Sequence, residues 1–174
     1  MDFNQDCFAL FGLPRRQELD TLRLEALYRD LQARVHPDKH AHLSPAEQRQ
    51  AMQWATRVNE AYLTLKDPLR RARYLLELAG HDVRLETNTA MPAAFLMAQM
   101  ELREAVAAAK AGRDIDALDA LQRRLEKEIR AEHASLQAAL EGGDPARAGE
   151  LVRQLMFQEK LLHEIGDALE VLET

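Results

Sequence analysis

The chain has 174 residues, enough for one domain or two small ones; 47% are hydrophobic, 30% are charged and only seven are glycine. That balance favours a soluble, mostly helical protein, and no apolar run approaches the ~20 residues needed to span a bilayer. One cysteine, Cys7, excludes an intrachain disulfide and a cysteine metal cluster, and reads as a small packing residue. The start, Met-Asp-Phe-Asn-Gln-Asp, lacks the basic and apolar parts of a signal peptide, so the cytoplasm is expected. The net charge of −6 is uneven: residues 1–79 carry 12 Lys+Arg and 11 Asp+Glu, residues 80–174 carry 11 and 18. The shift at Gly80 suggests two modules with different partners, and an acidic second half argues against nucleic acid as its target.

A short helix over residues 4–11 buries Phe8 and Phe11 and ends at Gly12-Leu13-Pro14. Asp20 can cap the next helix, which runs to about Arg34. Leu24, Leu27, Tyr28, Leu31 and Val35 make its apolar face, and Arg23, Arg29 and Arg34 lie on the other. Pro37 fixes its own φ and pushes His36 out of the helical region, so this helix stops near Val35. Ser44-Pro45-Ala46-Glu47 is a start signal with a cap, a first-position proline and a capping box. His36, Pro37, Asp38 and Lys39 therefore occupy a bend between two helices. The second helix, to Lys66, turns Ala51, Ala55, Val58, Tyr62 and Leu65 inward. Asp67-Pro68 restarts a helix with Leu69, Ala72, Leu75, Leu76 and Ala79 on its core side, closed by Gly80.

Residues 80–89 are polar and read as a linker. Three helices follow: about Ala90 to Ala111, Asp114 to Gly142-Gly143, and Asp144-Pro145 to about Leu172. The second turns Leu118, Leu121, Leu125, Ile129, Leu136 and Leu140 inward, and the third Leu151, Leu155, Leu162, Ile165 and Leu169. Short connections make them an antiparallel three-helix bundle. On a wheel of ~100° per residue, Phe95, Ala98, Leu102, Ala105, Val106 and Ala109 form the core side of the first. Leu96, Met97 and Met100 fall opposite, beside Glu101 and Glu104, where an amphipathic helix should be polar. Phe157 lies off the core stripe of the last helix. Apolar groups rimmed by acids suit a protein-binding surface, and methionine adapts to irregular partners. The same pattern fits packing against the first module or a second copy of the chain.

Helix, His36-Pro37-Asp38, helix resembles the J-domain of DnaJ-type co-chaperones. Asn59-Glu60-Ala61-Tyr62 with Leu65 and Asp67-Pro68 resembles the end of its third helix, and Phe8-Ala9-Leu10-Phe11-Gly12-Leu13-Pro14 its opening. With Ala94-Phe95-Leu96-Met97 and Glu101-Leu102-Arg103-Glu104, the whole chain resembles the HscB family, J-type co-chaperones of iron–sulfur cluster assembly. The resemblance implies an all-α, L-shaped protein: a J-domain over 1–79, a linker over 80–89 and a three-helix bundle over 90–174. It implies stimulation of HscA, a DnaK-class ATPase, through His36, Pro37, Asp38, Arg23, Arg29, Arg34 and Lys39. It also implies binding of the scaffold IscU through Leu96, Met97, Met100, Glu101, Glu104 and Phe157. Ala108 stands where the family can show a further acid. The cysteine-rich extension of some members is not present here, which fits a bacterial-type form.

No catalytic arrangement of residues and no phosphate-cradling loop stands out, so no enzyme activity, nucleotide or other cofactor is expected. His36, Asp38, His40 and His42 suggest a metal site only weakly, because Pro37 interrupts the helix that such spacing needs. His81, His133 and His163 share no spacing and read as surface or packing residues. The alternatives are a J-protein with a different client and a helical oligomeric or metal-binding structural protein.

Overall fold

The computed structural model describes residues 4–36, 44–81 and 91–173. Among them every regular element is a helix: α1 (Cys7–Leu10), α2 (Thr21–Val35), α3 (Pro45–Lys66), α4 (Pro68–Leu78), α5 (Ala93–Gly112), α6 (Ile115–Glu141) and α7 (Pro145–Glu173). The chain divides into two compact units, Met1–Leu75 and Leu76–Thr174. The division falls inside α4, just ahead of the charge shift at Gly80.

In the first unit each helix begins on a side-chain cap. Asp6 accepts from the Ala9 N–H at 2.9 Å, Asp20 from Arg23 at 3.0 Å and Asp67 from Arg70 at 2.7 Å. The Glu47 N–H donates to the Ser44 hydroxyl at 3.4 Å, and the Ser44 N–H donates to the Glu47 carboxylate at 2.9 Å. This is the reciprocal capping box that the spacing predicts, with Pro45 at the first turn. α1 is shorter than expected, yet Phe8 and Phe11 are both buried.

α2 and α3 pack on one another, and α1 packs on α3. The interior line of α3 is Ala51, Trp54, Val58, Ala61 and Leu65. Ala55 and Tyr62, expected inside, sit half-buried on the flank. The Tyr62 ring stacks on Tyr28 at 4.0 Å, and the Tyr28 hydroxyl donates to Asn59 at 2.7 Å. Periodicity fixes a face only to within a residue, and the large Trp54 ring takes the centre.

In α4, Leu69, Ala72 and Leu76 are buried, Leu75 is half-buried, and Ala79 lies exposed just past the helix end. Arg71 is the surprise. It is buried, and its guanidinium donates to the Gln17 carbonyl at 2.9 Å and to the Leu65 carbonyl. Burial lowers its pKa. Gln17 in turn donates to the Pro68 carbonyl at 2.8 Å, so one polar knot ties the stretch before α2 to the α3–α4 corner.

The second unit is a three-helix bundle, with α6 and α7 as its principal pair. Leu118, Leu125, Ile129 and Leu136 of α6 are buried, as are Leu151, Leu155, Leu161 and Ile165 of α7. Leu161, not Leu162, is the interior residue; Leu162 is half-buried on the edge. α5 contributes only a narrow line, Gln99, Leu102, Val106 and Ala109, with Phe95 half-buried. Ala98 and Ala105 are exposed, because a methyl on the flank of a helix is too short to reach its neighbours. α5 runs through Gly112, so Arg113, not glycine, adopts the left-handed conformation that ends it, at φ 51°. α6 starts on Asp114, which accepts from Ala117 at 2.9 Å, and α7 on Asp144, which accepts from Arg147 at 3.0 Å.

Candidate functional site

The resemblance directs attention to one surface in each unit. On α2, Arg23, Arg29 and Arg34 are exposed, as the wheel requires. Arg29 pairs with Glu25 one turn earlier. His36 caps the C-terminal end of α2 in an extended conformation, φ −60° and ψ 127°, and is exposed. That is the conformation a following proline imposes. Pro37, Asp38 and Lys39 lie outside the described residues, as do His40 and His42.

In the second unit the off-core apolar residues stay at the surface. Leu96 is 41% exposed, Met97 63%, Met100 63% and Phe157 42%, so none of the four is taken into the core of its own bundle. Glu101 and Glu104 are exposed beside them. The narrow buried line of α5 sets this up. With Gln99, Leu102 and Val106 turned inward, Met97, Met100 and Glu104 point directly away, and Leu96 lies on one flank. That flank faces α7, because Arg103, on the same side, meets Glu164 of α7 at 3.5 Å. α5 and α7 are separated by two chain reversals and run in the same direction. Leu96 and Phe157, each two turns before the ion pair, therefore share one seam. Met156 of α7 is a further exposed apolar residue, at 40%. It was legible only as a neighbour of Phe157.

The rim is not purely acidic. Arg103 stands on the α7 side, and Arg124 of α6, bonded to Glu128 at 2.9 Å, stands on the other. Beneath the surface, Gln158 donates to Glu132 at 2.9 Å, and His133 meets Glu159 at 3.0 Å. Burial, reinforced by nearby Glu128, pushes the Glu132 carboxyl above its ordinary value despite the Gln158 bond. Leu22, Met52 and Leu63 of the first unit are further exposed apolar residues that periodicity did not single out.

Among the described residues no helix is long and apolar enough to cross a membrane, and no group of three His, Cys, Asp or Glu is placed to hold a metal ion.

Two family models divide the chain much as its units do: a DnaJ domain matches residues 6–74, and an HSCB C-terminal oligomerisation domain matches 91–166. The chain belongs to the HscB family of co-chaperones. It is 55% identical over 174 residues to the co-chaperone protein HscB homolog of Azoarcus sp. (strain BH72), covering 99% of this chain and 98% of that one. The homolog of Ralstonia nicotianae is 56% identical over 167 residues, 95% of each chain. Among solved structures, chaperone HscB from Vibrio cholerae superposes with a TM-score of 0.86 at 39% identity, covering 97% of this chain and 99% of that one. Human co-chaperone HscB superposes at 0.90 with 29% identity, covering 95% and 83%. The HscB fold, a J-domain joined to a C-terminal helical domain, is thus the fold of this chain, and its role is that of a co-chaperone.

Proposed function

We propose that this HscB-family protein stimulates the ATPase of a DnaK-class chaperone, HscA, and delivers to it the iron–sulfur scaffold IscU, assisting maturation of iron–sulfur proteins in the cytoplasm. The J-domain is taken as residues 1–79, the linker as 80–89 and the scaffold-binding bundle as 90–174. Asp38 offers a carboxylate to a chaperone arginine, held in place by Pro37 and His36. Arg23, Arg29, Arg34 and Lys39 steer the domain onto an acidic chaperone surface. Leu96, Met97, Met100 and Phe157 bind the scaffold, and Glu101 and Glu104 meet its cationic side chains. Joining both grips in one chain raises the effective concentration of scaffold at the chaperone.

The observation that carries this reading is the exposed Leu96–Met97–Met100–Phe157 surface in the same chain as a J-domain. The test is HscA turnover of ATP with wild-type protein and with Asp38→Asn. Stimulation is expected from the first and not the second; equal stimulation refutes the docking role of the bend. A second reading, self-association through the same surface, is favoured by the oligomerisation named in the matching family model. Sedimentation of wild type against Met97→Glu separates the two, since only a dimer on this face dissociates.

A further inference from the structure

The two charged flanks of the α5 surface differ in kind. On the α7 side Arg103 is satisfied by Glu164. On the other side stands Glu101, which immediately precedes buried Leu102 on the flank opposite Leu96 and Arg103. With the Leu96 flank turned to α7, the Glu101 flank is turned to α6, on which Arg124 immediately precedes buried Leu125. The Arg124 guanidinium donates to Glu128 at 2.9 Å, and its side chain is 66% exposed. Glu128 first, and Glu101 after it, hold the Arg124 pKa above its ordinary value. One cation thus lies within the field of two carboxylates, and one of them is a residue proposed to recognise the scaffold.

We propose that Arg124 is a specificity-determining residue of the α5 docking face: it partly screens Glu101, leaving Glu104 the stronger of the two carboxylates that meet cationic scaffold side chains. The proposal rests on the reading that the scaffold docks on this face. A partner lysine or arginine opposite Glu101 must compete with a cation already present, so the face rejects partners whose positive charge is placed there. Glu104, on the outermost line of α5, has no such cation paired with it among the described residues. The rim therefore reads where a partner's charge lies and not merely its sign.

The test is a titration of purified apo IscU into the full-length protein at low and at high ionic strength, with a double-mutant cycle. Arg124→Gln is expected to tighten binding about two- to fivefold at low salt, the scale of an exposed charge pair. The gain should fade at high salt and vanish in a Glu101→Gln background. Weaker or unchanged binding by Arg124→Gln, or a gain that survives Glu101→Gln, overturns the proposal. The triple variant Leu96→Ala/Met97→Ala/Phe157→Ala tells the two ideas apart. If it binds IscU like wild type, the docking reading fails and the role of Arg124 with it. If it loses binding while Arg124→Gln is silent, only the role of Arg124 fails.

Discussion

Arg103 Nη1 lies 3.5 Å from Glu164 Oε2, and the two residues stand two helical turns beyond Leu96 on α5 and Phe157 on α7. A helix returns to nearly the same face after two turns, so this ion pair and the apolar pair occupy one seam. Residues on one seam contact a partner as a unit. Leu96→Ala and Phe157→Ala should therefore be non-additive in scaffold binding, with a coupling of at least about 0.5 kcal/mol in a calorimetric double-mutant cycle. Both side chains are exposed, so each variant should keep its folding stability to within about 0.5 kcal/mol. Additive losses of affinity would place the two residues on separate surfaces.

Glu132 presents an opportunity for stabilisation. Its Oε2 and the Oε1 of Gln158 are buried without hydrogen-bond partners, while its other oxygen accepts from Gln158. The folded-state pKa is raised above the ordinary 4.5, so the folded protein binds this proton more tightly than the unfolded chain does. The group is therefore neutral in both states at acid pH. Its unfavourable contribution appears as pH rises from the unfolded value through the folded one and persists at neutrality. An amide at this position can both accept from Gln158 and donate to it. Glu132→Gln should raise stability at pH 7 by roughly 1 kcal/mol, the scale of one satisfied polar group, and the gain should disappear below about pH 4. Urea unfolding of both proteins at the two pH values measures this.

Arg113 ends α5 with φ at 51°, a conformation that costs an L-residue about 1–2 kcal/mol. Glycine adopts it freely but gives back part of the gain through a more flexible unfolded chain. Arg113→Gly should stabilise the protein by about 0.5–1 kcal/mol, raising its melting temperature by a few degrees in a calorimetric scan. A lower melting temperature would mean that the Arg113 side chain makes a contact worth more than the strain.

Neighbouring leucines on α7 should behave very differently. Leu161 is 1% exposed, whereas Leu162 is half-buried. Leu161→Ala opens a cavity in the interior of the bundle and should cost about 2–5 kcal/mol. Leu162→Ala, with solvent ready to fill the space, should cost about 1 kcal/mol or less. Chemical denaturation of the two variants discriminates directly between the stripe expected from periodicity and the one the bundle adopts.

Much about this protein was written locally. Asp6, Asp20, Ser44, Asp67, Asp114 and Asp144 all cap the helices that follow them, because a cap needs only a side-chain oxygen and a backbone N–H three residues on. The end of α2 at Val35 and the unusual apolar side of α5 were legible for the same reason: a proline and a helical period act within a few residues. What lay beyond was which of several adjacent residues faces inward, as at Trp54 rather than Ala55 and at Leu161 rather than Leu162. So did the burial of Arg71 against the carbonyl of Gln17, distant in the chain, and the placing of Arg103 and Arg124 on opposite flanks of the exposed apolar surface of α5. Those outcomes depend on how neighbouring helices rotate and approach. That is fixed by the summed packing of many side chains, none of which carries the answer in its own stretch of sequence.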